Sequence, residues 1–311
     1  MIPELTTKAI ANNTLKSYAQ GYRNWTTWSR QFPETDVLPV KGFHLALFIT
    51  ATIQTSGKYG NIEQAFYGLN WLHKTLNLPN PCESNTVKTI KEAAKRILSK
   101  PVIKKQPVSP DNLRELTKKL GKSAELVQMR TLTMALLSYA GFFRYDEVHR
   151  IRREHINFLS RYMKIFVPSS KRDQHNVGDY VYIARTGRST CPYKALRKYL
   201  GMAKITRSDK VYVFRAATRT KAGAYLKQIN WPISYTTARK NILSAIDSIG
   251  LNKKLFGTHS FRRGGATHSC RNGISDRLFK KHGRWRSDNA KDGYVSEDLE
   301  TKLTVSRNLE I

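Results

Sequence analysis

The sequence predicts a mainly α-helical protein with a small antiparallel β-sheet, in which a helical bundle precedes an α+β domain. Its 311 residues exceed the size at which one hydrophobic core usually stops growing, so two domains are expected. Apolar residues recur at helical spacing through the first hundred positions. Two later segments are rich in β-branched and aromatic residues, as strands are. We place the first domain at 1–100, a linker at 101–110 and the second domain at 111–311.

The N-terminal bundle is predicted from four segments that each carry an apolar stripe. Two of them are residues 43–53 and 87–98. The stripes of the other two consist of Leu15, Tyr18, Tyr22, Trp25 and Phe32, and of Ile62, Ala65, Phe66, Leu69, Leu72 and Leu76. Aromatic residues at this spacing favour a packed core over a surface that stacks on nucleobases.

The second domain changes its pattern along the chain. A helix begins at Pro110, and residues 127–139 are apolar on nearly all sides, which predicts a buried helix. Residues 162–167 and 179–184 predict strands, and a polar connection between them carries Lys171 and Arg172. From Cys191 onward the pattern is helical again, with a helix predicted over 236–249.

The charge of the chain indicates a polyanionic partner. Lys and Arg number 54 against 23 Asp and Glu, a formal charge of +31. Residues 104–311 carry 42 of these basic residues. Residues 99–110, which include the linker with Lys104 and Lys105, hold three prolines and three lysines, so this stretch resembles an extended strap along DNA. Charge alone does not distinguish such a protein from a general RNA-binding protein.

Cysteine and histidine usage points to a reducing compartment and to no bound metal or other cofactor. Cys82, Cys191 and Cys270 stand far apart, and the eight histidines lack metal-binding spacing. No apolar run is long enough to span a membrane, and no secretory signal pattern begins the chain. We therefore expect the nucleus in a eukaryote and otherwise the cytoplasm, with no membrane partner.

Several residues together are suited to attack on a DNA phosphodiester. His259 and Arg262 are three positions apart, so they share a helix face, and Arg144 is a second candidate for a guanidinium clamp on the phosphate. Tyr294 is the candidate nucleophile, and His259 could remove its proton. Lys171 could protonate the leaving 5′-oxygen. Taken singly, each of these residues is typical of an ordinary surface or core position.

Two further residues complete the candidate site. Trp285 could donate its indole N–H to a phosphate oxygen, although a tryptophan here could equally be a core residue. Glu147 could hold Arg144 or His259 in place, or could be an ordinary acidic residue near a helix N-terminus.

Taken together, these residues resemble the signature of the tyrosine recombinases, also called lambda-type integrases. Arg144-Tyr-Asp-Glu147, Lys171, His259-Ser-Phe-Arg262, Trp285 and Tyr294 follow the family order, and Tyr294 lies nine positions after Trp285. Trp285 stands where many members have His, and Arg263 stands where a second His is common; Arg263 and Arg172 are further candidates for DNA binding. The Gly-Arg-Trp-Arg-Ser segment is more similar to eukaryotic mobile-element recombinases, such as the cryptons, than to bacterial members of the family.

The resemblance implies a DNA recombinase whose core-binding and catalytic domains clamp double-stranded DNA. It implies a 3′-phosphotyrosyl intermediate on Tyr294, strand exchange through a Holliday junction, and a homo-tetramer on synapsed DNA that is a monomer or dimer when free. The partly apolar tail after Tyr294 would dock on a neighbouring protomer. Two alternatives stay open: a type IB topoisomerase that relaxes DNA, and a domesticated DNA-binding protein that has lost catalysis.

Overall fold

The computed structural model describes residues 7, 9–55, 57–101, 103–122, 125–168, 178–220, 223–296 and 299–308. The chain divides into two compact units, residues 1–103 and 104–311. The fold is mainly helical with small antiparallel sheets, as predicted. None of the helices in the described part of the chain is long and apolar enough to cross a membrane.

The N-terminal unit contains the four predicted helices. They are α1 (Asn12–Ser29), α2 (Gly42–Gln54), α3 (Tyr59–Thr75) and α4 (Asn85–Leu98), and a 3₁₀ turn at Pro81–Glu83 precedes the last. Helix α1 packs on α3, and α2 packs on α4. A Cβ on Gly21 of α1 would lie 2.1 Å from the carbonyl oxygen of Gln64, so the backbones of α1 and α3 meet where the sequence provides glycine.

The aromatic stripe of α1 lies in the core of this unit, as its spacing predicts. Trp25 is fully buried, and its indole N–H donates to the carbonyl of Val37 at 3.0 Å. The Trp25 and Phe48 rings meet edge to face with their centroids 5.8 Å apart. Phe32, at the end of the stripe, is 38% exposed because the helix has ended before it.

The C-terminal unit is built around one helix that is buried on nearly all sides, Leu126–Ala140. Helices α5 (Pro110–Gly121), α8 (Pro192–Met202), α9 (Tyr235–Ser248) and α10 (His259–Arg271) pack against α6 (Leu126–Ala140). The shorter helices are α7 (Tyr145–Val148), α11 (Asp276–Gly283), α12 (Asp288–Asp292) and α13 (Leu299–Arg307), with 3₁₀ turns at Arg153–His155 and Lys253–Leu255. The buried helix predicted over 127–139 is therefore confirmed.

Two small sheets accompany these helices. The first has the order β1-β2-β3 with β1 (Ile156–Phe158), β2 (Tyr162–Val167) and β3 (Asp179–Ala184), all antiparallel. Strands β2 and β3 have the predicted bounds, and Ile165 pairs with Val181 on the buried face. Strands β4 (Ala217–Thr220) and β5 (Gly223–Leu226) form a hairpin that the sequence pattern did not predict.

The second half of the predicted linker is fastened to the C-terminal unit. The N–H of Gln106 donates to the carbonyl of Leu255 at 2.8 Å, and that of Val108 donates to the carbonyl of Ser260 at 3.0 Å. Ser109 then caps α5 through a reciprocal pair of hydrogen bonds with Asn112. Residues 104–109 are therefore attached to this unit, because Leu255 in the 3₁₀ turn and Ser260 in α10 supply acceptors for their backbone.

Candidate active site

Arg144 lies at the start of α7, directly after a tight turn that ends α6. Phe142 in this turn has a φ of +47°, which lets the chain reverse within three residues. The backbone N–H of Arg144 donates to Oε2 of Glu147 at 2.9 Å, and its guanidinium donates to Oε1 at 2.7 Å. Glu147 therefore bonds Arg144 and also caps a helix N-terminus, two roles that the sequence offers as alternatives.

His259 begins α10, and Arg262 lies one turn further along the same face. The His259 ring is exposed, yet the surrounding protein lowers its pKa below the usual value by partial desolvation and through the charges of Arg262 and Arg144. A neutral imidazole can accept a proton, so His259 suits the part of a general base near neutral pH.

Arg262 is completely buried at the centre of the site. Its guanidinium donates to the carbonyl of Phe142 and, at 2.7 Å, to that of Gly283. Burial, followed by repulsion from Arg144, lowers its pKa to about 9, so it keeps its charge at neutral pH. Trp285 and Tyr294 cover it, and each ring centroid lies 4.7 Å from the guanidinium carbon.

Trp285 is 5% exposed and packs against Phe142, Phe279 and Tyr294. Among the described residues its buried indole N–H has no hydrogen-bond acceptor. A buried donor normally finds a partner, since leaving it unpaired costs about 1–3 kcal/mol. The ring is thus both a core residue and an unused hydrogen-bond donor beside Arg262.

Tyr294 follows α12 and is half-buried, with its ring centroid 5.5 Å from that of Trp285. Thr267 of α10 fixes the backbone around it: its hydroxyl donates to the carbonyl of Tyr294 at 3.4 Å and accepts from the N–H of Ser296 at 3.0 Å. The phenol is therefore held over Arg262 by the same helix that carries His259.

Glu147 gathers three arginines around one buried carboxylate. Arg144 and Arg284 each lie 2.7 Å from it, and Arg262 lies 3.8 Å away. Burial alone would raise its pKa, but the charges of Arg284, Arg262 and Arg144 outweigh burial and lower it. Arg284 was not predicted to belong to the site. Its position beside Trp285 in Gly-Arg-Trp is the only sequence signal for it.

The remaining predicted residues are placed as follows. Lys171 and Arg172 lie outside the described residues, between β2 and β3. Lys104 and Lys105 are exposed, and Arg263 donates to the carbonyl of Lys105 at 2.9 Å. Glu147 pairs with arginines, whereas a bond to His259 was the other expected role. No cluster of His, Cys, Asp and Glu suited to a metal occurs in the described ranges.

Residues 106–300 match the phage integrase family. The chain belongs to this family. The match covers more than half of its length and contains every predicted catalytic position, which confirms the resemblance to the lambda-type integrases. The closer similarity to eukaryotic mobile-element recombinases stays a prediction.

Relatives of this phage integrase family member extend over nearly the whole chain. An integrase/recombinase XerD homolog from Selenomonas ruminantium is 26% identical over 294 residues, which is 93% of this chain and 83% of the relative. The XerH site-specific recombinase in a post-cleavage complex with palindromic difH substrate superimposes with a TM-score of 0.62 and 15% identity, over 95% of this chain and 78% of that one. A lambda integrase dimer bound to a COC′ core site superimposes with a TM-score of 0.57 and 14% identity, over 92% of this chain and 72% of that one. Because these sequence identities are low, the two superpositions show that this chain shares the fold of both proteins.

Proposed function

We propose that this protein is a site-specific DNA recombinase that cleaves and rejoins DNA through a 3′-phosphotyrosyl intermediate on Tyr294. The observation that carries the proposal is the position of the Tyr294 ring, 4.7 Å from the guanidinium carbon of buried Arg262. The ring also lies beside the indole N–H of Trp285, which has no acceptor in the described part of the chain. A nucleophile, a buried cation and a free donor thus lie together in one small volume, as attack on a phosphodiester requires.

In this mechanism the Tyr294 oxygen attacks the scissile phosphorus while His259 accepts the phenolic proton. The new bond joins the phosphorus to the tyrosine oxygen, and the bond to the 5′-oxygen breaks. Lys171 protonates that leaving oxygen. Arg144 and Arg262 neutralise the charge that develops on the non-bridging oxygens, and Trp285 donates a hydrogen bond to one of them. The phosphodiester energy stays in the covalent link, so rejoining needs no ATP and no other cofactor.

Substrate binding must uncover Arg262. Its side chain has no exposed surface, and the Trp285 and Tyr294 rings lie across it. A phosphate can reach the guanidinium only after one of these rings moves aside. The movement would also release the tyrosine for attack, so the same step would open the clamp and free the nucleophile.

We further propose that the protein acts on synapsed duplexes as a homo-tetramer and exchanges strands through a Holliday junction. The formal charge of +31 supports binding to DNA. The XerH and lambda integrase structures that share its fold are complexes with DNA. In the tetramer the C-terminal tail would dock on a neighbouring protomer.

A suicide substrate tests the nucleophile. DNA sequences that the protein binds are first selected from a random library, and a nicked duplex of the best sequence is then incubated with each variant. The wild type is expected to form a covalent protein–DNA adduct, and Tyr294→Phe is expected to form none. Tyr182→Phe, which changes an exposed tyrosine on β3, is the matched control and should react like the wild type.

The same adduct with Tyr294→Phe would contradict the assignment. Binding without cleavage of any selected sequence by the wild type would instead favour a DNA-binding protein that has lost catalysis. Relaxation of supercoiled DNA without junction products would favour a topoisomerase.

A further inference from the structure

Arg284 is a buried arginine that the proposed mechanism does not use. One of its terminal nitrogens donates to the carbonyls of Gly141 at 3.3 Å and His282 at 3.1 Å. The other donates to the carbonyl of Phe142 at 3.1 Å and to Oε2 of Glu147 at 2.7 Å. Its side chain is only 6% exposed. With four acceptors inside the protein, it is not available to bind substrate.

The backbone at Arg284 is held in a conformation that side chains rarely adopt. Its φ is +54°, which costs a non-glycine residue roughly 1 kcal/mol or more. The preceding Gly283 admits no side chain, since a Cβ there would lie 1.9 Å from the Trp285 ring. The strained turn therefore directs Arg284 inward, toward Glu147, and places Trp285 over Arg262.

The hydrogen bonds of Glu147 show what this arrangement achieves. Its Oε1 accepts from the Arg144 guanidinium, and its Oε2 accepts from Arg284 and from the Arg144 backbone N–H. Both oxygens are occupied, and Arg262 stays 3.8 Å away without a direct bond to the carboxylate. If Arg284 were absent, the buried carboxylate would attract Arg262 as its replacement partner.

The charges of the cluster suit the proposed reaction. Three guanidiniums share one carboxylate, so two positive charges are left uncompensated. A phosphodiester carries one negative charge, and the transition state for attack by a phenolate carries two. Arg284 is bonded to Glu147 and to three carbonyls, so we assign the two remaining positive charges to Arg144 and Arg262.

We propose that Arg284 is a positioning residue that neutralises Glu147 and thereby leaves the charge of Arg262 free for the scissile phosphate. This inference rests on the proposed function of the site. Arg284 acts through Glu147 and does not touch the substrate. Its loss should therefore slow strand cleavage much more than it weakens DNA binding.

The test is single-turnover cleavage of the selected duplex at saturating protein. Arg284→Met is expected to slow adduct formation about 10- to 100-fold, while DNA affinity stays within about threefold of the wild type. Adding Glu147→Gln to Arg284→Met removes the carboxylate that captures Arg262. The double variant is expected to cleave at least about threefold faster than Arg284→Met alone. A role in folding alone would let Glu147→Gln raise the melting temperature without changing the cleavage rate of the folded protein.

Two further variants control for charge and folding. Arg286→Met makes the same charge change on an exposed residue two positions away, and should leave the saturated cleavage rate unchanged. Arg284→Lys keeps the charge and part of the bonding, so it should fold if Arg284→Met does not and cleave faster than that variant. Thermal melting identifies the folded variants.

The inference is wrong if folded Arg284→Met cleaves as fast as the wild type, or if Glu147→Gln slows it further. For the lysine variant, a cleavage rate below that of folded Arg284→Met, or below that of the double variant where Arg284→Met does not fold, would equally overturn it. These results differ from a failure of the proposed function, in which the wild type itself forms no adduct.

Discussion

At the scale of single residues, the indole N–H of Trp285 is the feature that packing does not explain, since it has no acceptor among residues whose structure is described. The ring fills space between Phe142, Phe279 and Arg262, and a phenylalanine would fill much of that space without burying a polar atom. Leaving a donor unpaired costs about 1–3 kcal/mol. An acceptor that arrives only with the substrate, such as a phosphate oxygen, would give the N–H its partner.

Replacing Trp285 tests this role. Trp285→Phe removes the donor but keeps an aromatic ring over Arg262, so cleavage should slow about 100-fold, as when one donor to a developing oxyanion is lost. Stability should change by less than about 2 kcal/mol, because the loss of ring contacts is offset by the loss of an unpaired donor. Single-turnover cleavage and thermal melting measure the two effects.

Trp285→His is the matched comparison, because it restores an N–H on a smaller ring. It should cleave faster than Trp285→Phe. Equal cleavage by the wild type and Trp285→Phe would show that the indole N–H takes no part in the reaction.

The residues of the site were predictable from sequence to different degrees. Arg144, Glu147, His259 and Arg262 are set by local spacing, since Arg-x-x-Glu forms a cap and His-x-x-Arg shares a helix face. Arg284 was not predictable in the same way. Its direction depends on a left-handed turn stabilised by carbonyl groups more than 140 positions earlier in the chain.

At the scale of secondary-structure elements, α10 brings the site together because it packs unusually close to its neighbours. A Cβ on Gly264 would lie 2.1 Å from the carbonyl oxygen of Val108, and one on Gly265 would lie 2.0 Å from that of Tyr139 at the end of α6. This close contact brings Arg262 within reach of the Phe142 carbonyl. Gly265 therefore sets the distance between α10, which carries Arg262, and the end of α6, which leads to Arg144.

Gly265→Ala should push α10 away from α6. We expect a loss of at least about 2 kcal/mol in unfolding free energy, since backbone atoms cannot yield as a flexible side chain would. Cleavage should fall as well, because His259 and Arg262 move with the helix. Urea unfolding and single-turnover cleavage measure these changes.

Gly201→Ala is the control for glycine replacement within a helix of the same unit. A Cβ there meets nothing within 4 Å, so the change should stabilise α8 by about 0.5–1 kcal/mol. If Gly265→Ala were as stable as the wild type, the close packing of α10 on α6 would not be required.

The elements that the sequence predicted are those with a long apolar pattern. The buried helix α6 and strands β2 and β3 each place several residues in the core, and this is the signal that periodicity detects. Strand β1 has three residues, and β4 and β5 have four each with few buried side chains. Such short strands form because a neighbouring strand supplies hydrogen bonds. The residues of the short strand do not by themselves specify that neighbour.

At the scale of the whole molecule, the chain maintains a large positive charge while keeping several histidines neutral. Burial lowers the pKa of His149, His155 and His282, and partial desolvation lowers that of His259. Two of them act as donors to backbone: His149 to the carbonyl of Tyr145 and His282 to that of Ala140, both at 2.8 Å. Protonating these rings would add charge to a protein that already carries +31.

Stability should therefore fall as the pH is lowered through the range in which unfolded histidines titrate. A lowered pKa in the folded state means that, below about pH 6.5, the unfolded chain binds protons that the folded chain does not. Each such histidine contributes at most about 1.4 kcal/mol per pH unit in this window. Glu147, whose pKa is also lowered, adds a loss only at more acidic pH, below its ordinary value of 4.5. Thermal melting from about pH 7.5 to about pH 5.5 should show a falling midpoint.

His282→Gln retains a donor for Ala140 but cannot titrate, so its midpoint should fall less steeply than that of the wild type. An equal slope in the two proteins would show that His282 does not contribute to the acid sensitivity.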